Sequence, residues 1–294
     1  MQANDERNIM SIFIELLKTV LYGIVEGITE WLPISSTGHL ILLRELLPLA
    51  VSEEFFEMFE VVIQLGASLA VLGLFIKTLF PKFKNCGSGG FFNCSENKRT
   101  FSLWGKVIFA VIPSAVIGLA LDDWFDEHFY NAQTVAFTLA LYGILYIIVE
   151  YVRRGKKQGI SEVHDISYGK AFLMGCFQVL ALIPGTSRSG STILGGLFLG
   201  LSRSAAAEMS FFLARPTMLG ASALKALKFT LGGTEISITE IAILIVGCIV
   251  SYVVSVIAIK FLMGFVKKHT FIPFGIYRII LAVLVFLYFF FVKG

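Results

Sequence analysis

Apolar residues run through this chain in blocks of about 20 or more, parted by short polar stretches. A block of that length suits a helix that crosses a bilayer, since ~20 residues rising ~1.5 Å each match a hydrocarbon core of ~30 Å. Unbroken blocks cover residues 55–80, 103–122, 131–152, 204–228, 240–265 and 271–291. Two further segments break in the middle. Residues 11–47 are apolar to Leu32, pass through "PISSTGH", and turn apolar again to Leu47. Residues 168–201 are apolar to Ile183, pass through "PGTSRSGST", and again turn apolar. Each half of these segments is too short to cross. A helix, a polar turn and a returning helix therefore predict a re-entrant hairpin, whose non-helical tip is tolerated where protein buries it or where it lines a cavity.

The pattern repeats. "LPISSTG" at 32–38 has a counterpart in "IPGTSRS" at 183–189, and "LGAS" at 65–68 recurs at 219–222. A broken hairpin followed by three spans occurs twice, in residues 1–155 and 156–294. With three spans per half, the second half must enter the membrane upside down. The predicted fold is an all-α integral membrane domain built as an inverted-topology repeat, each half a re-entrant hairpin plus three transmembrane helices. Such folds place their sites near the midplane, where the repeats meet.

Loop charges orient this arrangement. Lys82, Lys84, Lys98 and Arg99 sit in one loop, Arg153, Arg154, Lys156, Lys157 and Lys170 in another, and Lys267 and Lys268 in a third turn. All three fall on one side of the three-plus-three scheme. The other side receives Asp122, Asp123, Asp126, Glu127 and Glu235. The positive-inside rule then places the basic loops in the cytoplasm and both termini outside.

Composition agrees with the class. Of the 294 residues, 56% are hydrophobic and 15% charged, against about 25% charged in soluble domains. No polar stretch is long enough for a soluble catalytic domain, so any chemistry must come from membrane segments and short loops. A net charge of +3 without a basic run excludes a nucleic-acid partner. The first apolar block lacks a basic leader and a small-residue cleavage site, unlike a secretory signal. Cys176 and Cys248 read as core residues. Cys86 and Cys94 share a loop as C-x7-C, a weak pattern for zinc, and read as free thiols.

The two polar turns carry the candidate chemistry. Glu26 and Glu30 lie four apart and share one helix face. A carboxylate at mid-membrane costs about 2.5–3.5 kcal/mol even on the lenient insertion scale, and two on one face repel unless a cation or proton lies between them. Hard oxygen ligands suit Mg2+ or Ca2+; a protonated pair or a proton relay is the alternative. Pro33 ends the first half-helix, and Ser35, Ser36 and Thr37 can cap the second. A helix start offers free N–H groups and partial positive charge, which together attract an anion. His39 lies three residues after Ser36, on the same face. In the second turn Gly185 and Gly190 allow close backbone approach, while Thr186, Ser187, Ser189, Ser191 and Thr192 supply hydroxyls. Arg188 presents a planar fork suited to phosphate oxygens, with a structural bridge to Glu26 or Glu30 as its other reading.

"EGITEWLPISSTGH" and "PGTSRSGST" resemble the two signature regions of the bacterial undecaprenyl-pyrophosphate phosphatases, the bacitracin-resistance (BacA-type) family. The resemblance spans essentially the whole chain and departs only in the extension before Met10 and the glycine-rich loop around Cys86 and Cys94. It implies hydrolysis of undecaprenyl pyrophosphate to undecaprenyl phosphate and inorganic phosphate, which recycles the carrier lipid for cell-wall synthesis. It also implies a multi-pass protein of the bacterial plasma membrane, with a site open to the outer face and a need for a divalent cation. The family's acidic pair falls on Glu26 and Glu30, its serine on Ser36, its histidine on His39 and its arginine on Arg188. The expected substrate-binding groups are Ser35, Thr37, Thr186, Ser187, Ser189, Gly190 and Thr192. The expected partners are the lipid substrate and membrane lipids, with a homodimer left open. Two rivals are a transporter of polyprenyl phosphate lipids and an ion channel. The serine and histidine beside the acids favour the enzyme, since a carrier needs neither nucleophile nor proton donor.

Overall fold

A computed structural model describes residues 2–82, 91, 94–155, 159–231 and 236–292; for residues 2–9, 122, 123, 126 and 292 it describes the backbone alone. Lys84, Cys86, Lys156, Lys157 and Glu235 lie outside the described residues. Among those described, the chain is helical with no strand: α1 Gln2–Thr29, α2 Ser36–Leu46, α3 Glu53–Leu74, the short α4 Ile76–Leu79, α5 Ser95–Phe129, α6 Ala132–Arg153, α7 Tyr168–Val179, α8 Arg188–Phe198, α9 Arg203–Leu231, α10 Ile238–Val266 and α11 Ile272–Val292.

Helix starts follow the polar punctuation. Ser52, Asn131 and Ser167 accept the backbone N–H three residues on, and Ser237 forms a reciprocal capping box with Glu240, satisfying amides that a helix start leaves free. Among the described residues five helices are long and apolar enough to cross a membrane: α3, α5 over Ser95–Leu121, α6, α10 and α11 over Ile272–Phe291. The protein is a multi-pass membrane protein. The expected span 204–228 forms α9, of 29 residues, but it is not among those five. Its polar residues include Arg203, Glu208, Arg215, Lys225 and Lys228. Protein rather than lipid surrounds much of it, since Ala205, Ala206, Ala207, Met209 and the 211–214 stretch are buried. The block expected at 55–80 splits at Phe75 into α3 and α4.

Both broken segments fold back on themselves. Where α2 ends, Leu47 O accepts from the Tyr22 hydroxyl at 3.1 Å and Pro48 O from Lys18 Nζ at 2.7 Å. The returning chain thus lies beside the middle of α1. Where α8 ends, Leu199 O accepts from Lys170 Nζ at 2.9 Å, and Ser202 N donates to Ile160 O at 2.8 Å, so this hairpin returns to its own starting level.

Packing links the two halves. α1 and α3 pack on α10, α5 packs on α7, α9 packs on α3, and α6 packs on α11. The α6–α11 contact is a backbone approach: a Cβ on Gly143 would stand 2.7 Å from Gly275 O, and one on Gly275 would stand 2.7 Å from Gly143 O. Small residues at such crossings let helices approach without a hydrophobic driving force.

Candidate active site

The two polar turns meet. Each starts its second helix from a serine in an unusual backbone conformation: Ser35 (φ 74°) and Ser187 (φ 68°), the only non-glycine residues with positive φ among those described. A non-glycine residue there costs on the order of 1–3 kcal/mol and persists only where its surroundings hold it. Ser35 Oγ accepts from Gly38 N at 3.3 Å, and Ser187 Oγ from Gly190 N at 3.1 Å. The caps define a register, serine–x–x–glycine, in which Ser36 matches Arg188 and Thr37 matches Ser189. The motif pairing read from the sequence, Pro33 with Pro184, is out of step by one residue here, because the second turn has one extra residue between proline and cap.

Glu30 joins the turns. Its Oε1 pairs with the Arg188 guanidinium, and its Oε2 accepts from Ser36 Oγ at 2.9 Å. Arg188 Nη1 also donates to Ala214 O at 3.1 Å, fixing the fork against α9. Of the two readings of Arg188, the structure shows the bridge to Glu30, with the side chain half-buried between the turns. Glu26 lies one turn before Glu30 on α1, fully buried, and neither of its carboxylate oxygens has a hydrogen-bond donor.

His39 is not brought to Ser36. Its Nδ1 lies 2.7 Å from Ser35 O and its Nε2 lies 2.7 Å from the Tyr277 hydroxyl. A carbonyl oxygen can only accept, so Nδ1 carries the hydrogen and Nε2 accepts from Tyr277. The histidine thereby clamps the Ser35 carbonyl in its strained turn.

The remaining hydroxyls hold the second turn in shape. Ser187 Oγ and Ser189 Oγ are 3.1 Å apart, and Ser189 Oγ donates to Leu32 O of the first turn at 3.3 Å. Thr192 Oγ1 donates to Arg188 O at 2.8 Å and lies 2.6 Å from Ser210 Oγ of α9. Gly190 O accepts from the Tyr146 hydroxyl at 2.8 Å. Thr186 is buried, and Thr37 is half-buried at the start of α2.

Two arginines escaped the sequence reading. Arg278 of α11 is 0% exposed. It donates to Pro33 O in the first turn and, at 2.9 and 3.0 Å, to Gly185 O and Thr186 O in the second, tying the two tips together. Its signal was present as a lone charge in the apolar run "IPFGIYRIILAVL", where an ionisable residue marks function by default. Arg215, on α9, packs over the Trp31 ring at 5.1 Å. A cavity of about 650 Å³, lined by Arg153, Arg203, Lys267 and the start of α9, lies apart from this constellation, and no site residue lines it.

Acid, hydroxyl and arginine in mutual contact, with the positive ends of α2 and α8 brought together, form a site suited to transferring a group from an anion. The class is thus a polytopic helical membrane protein in which a buried acid, hydroxyl and arginine meet at two polar turns. The description "Bacitracin resistance protein BacA" matches residues 19–284, and the chain belongs to that family. It is 53% identical to the undecaprenyl-diphosphatase of Acetivibrio thermocellus over 94% of this chain and 98% of the relative. It is 52% identical to that of Enterococcus faecalis, over 94% and 97%. An undecaprenyl-diphosphatase of Streptococcus suis is 48% identical, over 94% and 97%.

Proposed function

We propose that this protein hydrolyses undecaprenyl pyrophosphate to undecaprenyl phosphate and inorganic phosphate. The observation that carries the reading is Glu30, whose two oxygens join Ser36 in one turn to Arg188 in the other. Phosphoryl transfer mostly requires positioning and charge neutralisation. Arg188 meets the equatorial oxygens, with the starts of α2 and α8 adding partial positive charge. Glu30 takes the proton of Ser36 Oγ as that oxygen attacks the terminal phosphorus. The bond to the bridging oxygen breaks, undecaprenyl phosphate leaves, and water then splits the phosphoserine, returning the proton to Ser36. Ser35, Thr37, Thr186, Ser187, Ser189, Gly190 and Thr192 shape the phosphate cradle.

A divalent cation, Mg2+ or Ca2+, fits the acidic pair. Glu26 offers two buried oxygens without donors, one turn from Glu30. Among the described residues no third His, Cys, Asp or Glu joins them into a ligand cluster, so phosphate and water oxygens would complete the shell, as hard cations commonly allow. Glu26 and Glu30 would hold the ion, whose charge would offset that of the pyrophosphate.

The architecture is read as an inverted repeat of residues 1–155 and 156–294, with hairpins 11–47 and 168–201 re-entering the membrane from opposite sides. Three features support it: both broken segments fold back on themselves, the two turns share a strained serine cap, and exchanging the halves maps the α1–α10 contact onto the α7–α5 contact. In this orientation both termini and the site mouth face outward.

The test is phosphate release from undecaprenyl pyrophosphate by protein purified in detergent, where no gradient exists. Release that stops on chelation and returns with Mg2+ or Ca2+ is expected. Absence of release under either metal would overturn the enzymatic reading, and release indifferent to chelation would overturn the cation assignment.

A further inference from the structure

We infer that Arg215 is a second phosphate-gripping residue of this site, one that binds the pyrophosphate beside Arg188. The inference rests on the diphosphatase reading above. Arg215 is 6% exposed, and neither Nη1 nor Nη2 has a hydrogen-bond partner. Its Nε is occupied, donating to Phe211 O of its own helix at 3.3 Å, so the side chain is folded back with its two terminal nitrogens unused. A guanidinium buried in that state is strongly disfavoured unless something neutralises it.

The neighbours do not neutralise it. The charges acting on Arg215 come from Arg188 and Glu30. Arg188 is positive and donates to the carbonyl of Ala214, the residue just before Arg215. Both oxygens of Glu30 are already engaged, by Arg188 and Ser36. What remains is the stacking on Trp31, centred 5.1 Å away. Trp31 follows Glu30 in sequence and is itself braced edge-on by Phe211 at 5.2 Å. Cation–π contact orients the fork without consuming its N–H donors.

The result is a buried arginine with four unpartnered N–H groups, one residue along α9 from the carbonyl that a second arginine holds. Two like charges so close call for an anion that bears more than one charge. A pyrophosphate supplies that: one phosphate can be held by Arg188 and the other by Arg215, each in the two-pronged geometry that phosphate oxygens favour.

The experiment compares wild type with Arg215→Met and Arg215→Lys in detergent, using undecaprenyl pyrophosphate for turnover and methylenediphosphonate as a non-hydrolysable probe. In Arg215→Met, KM and the methylenediphosphonate inhibition constant should rise about tenfold or more, as loss of a charged hydrogen-bonding group predicts, while kcat falls less. The thermal midpoint without ligand should hold or rise, because a buried unpaired charge has been removed. A merely structural strut would lower it. Methylenediphosphonate should raise the wild-type midpoint and raise that of both variants less. Arg215→Lys keeps the test decisive if the methionine variant does not fold. Unchanged KM and full protection by the probe in either variant would overturn the inference. If wild type released no phosphate yet its protection by the probe depended on Arg215, the binding role would stand and the diphosphatase reading would fall.

Discussion

Ser36 Oγ donates to Glu30 Oε2 at 2.9 Å, whereas His39, on the same helix, turns its ring to Ser35 and Tyr277. The carboxylate within reach of the hydroxyl belongs to the residue that follows α1. A free serine is a weak nucleophile without an adjacent base, so the proposed mechanism gives that role to Glu30.

Glu30→Gln should accordingly lower kcat by roughly 100-fold or more, in the range of a lost general base. His39→Ala should lose less, because it loosens the Ser35 turn without removing the base. Initial rates with purified variants check the ranking, and a greater loss in His39→Ala would overturn Glu30 as the base.

Ser36→Ala and Ser36→Thr separate the two modes of attack. With Ser36 as nucleophile, rapid-quench reactions on phosphate-labelled substrate should show label on the wild-type protein. The alanine variant should show neither label nor turnover. A substantial rate in Ser36→Ala would assign the attack to water, with Glu30 as its base.

Arg188→Lys should fold normally and lose most activity. Lysine keeps the charge but cannot span Glu30 and the Ala214 carbonyl while facing phosphate with a planar fork. Near-normal turnover would reduce the role of Arg188 to simple charge.

Arg278→Met should fail differently. This arginine lies among backbone carbonyls of both turns, and removing it leaves several buried acceptors unpaired, each costing about 1–3 kcal/mol. The variant should show a lower unfolding midpoint in detergent, and a midpoint equal to wild type would show that the turns hold together without it.

For topology, a reporter fused at Gly294 should be extracytoplasmic and one inserted near Lys156 cytoplasmic, following the loop charges. Finding both on one side would dismiss the inverted three-plus-three arrangement.

The membrane class and most element positions were legible in the chain, because the solvent imposes them: ~20 apolar residues are required to cross hydrocarbon, and backbone groups there must bond within a helix. The broken helices were legible for the same reason, since "PISSTGH" and "PGTSRSGST" cannot continue an apolar helix. Local chemistry also predicted a hydroxyl cap at the start of α2, where Ser35 stands. The status of α9 was not legible. Hydropathy measures preference for lipid, and a helix shielded by protein can carry Arg203, Arg215 and Lys225. Nor could spacing assign partners. Ser36 and His39 share a face by count, yet Tyr277, 238 positions away, claims the histidine, and Glu30 claims the serine across a turn whose backbone is not helical. The link from Glu30 to Arg188 spans 158 positions, and Arg278 and Arg215 reach the site from helices remote in sequence. Side-chain pairing depends on which backbones pack together, and here that was decided by small-residue crossings such as Gly143 with Gly275, where the absence of two side chains sets how closely two helices approach.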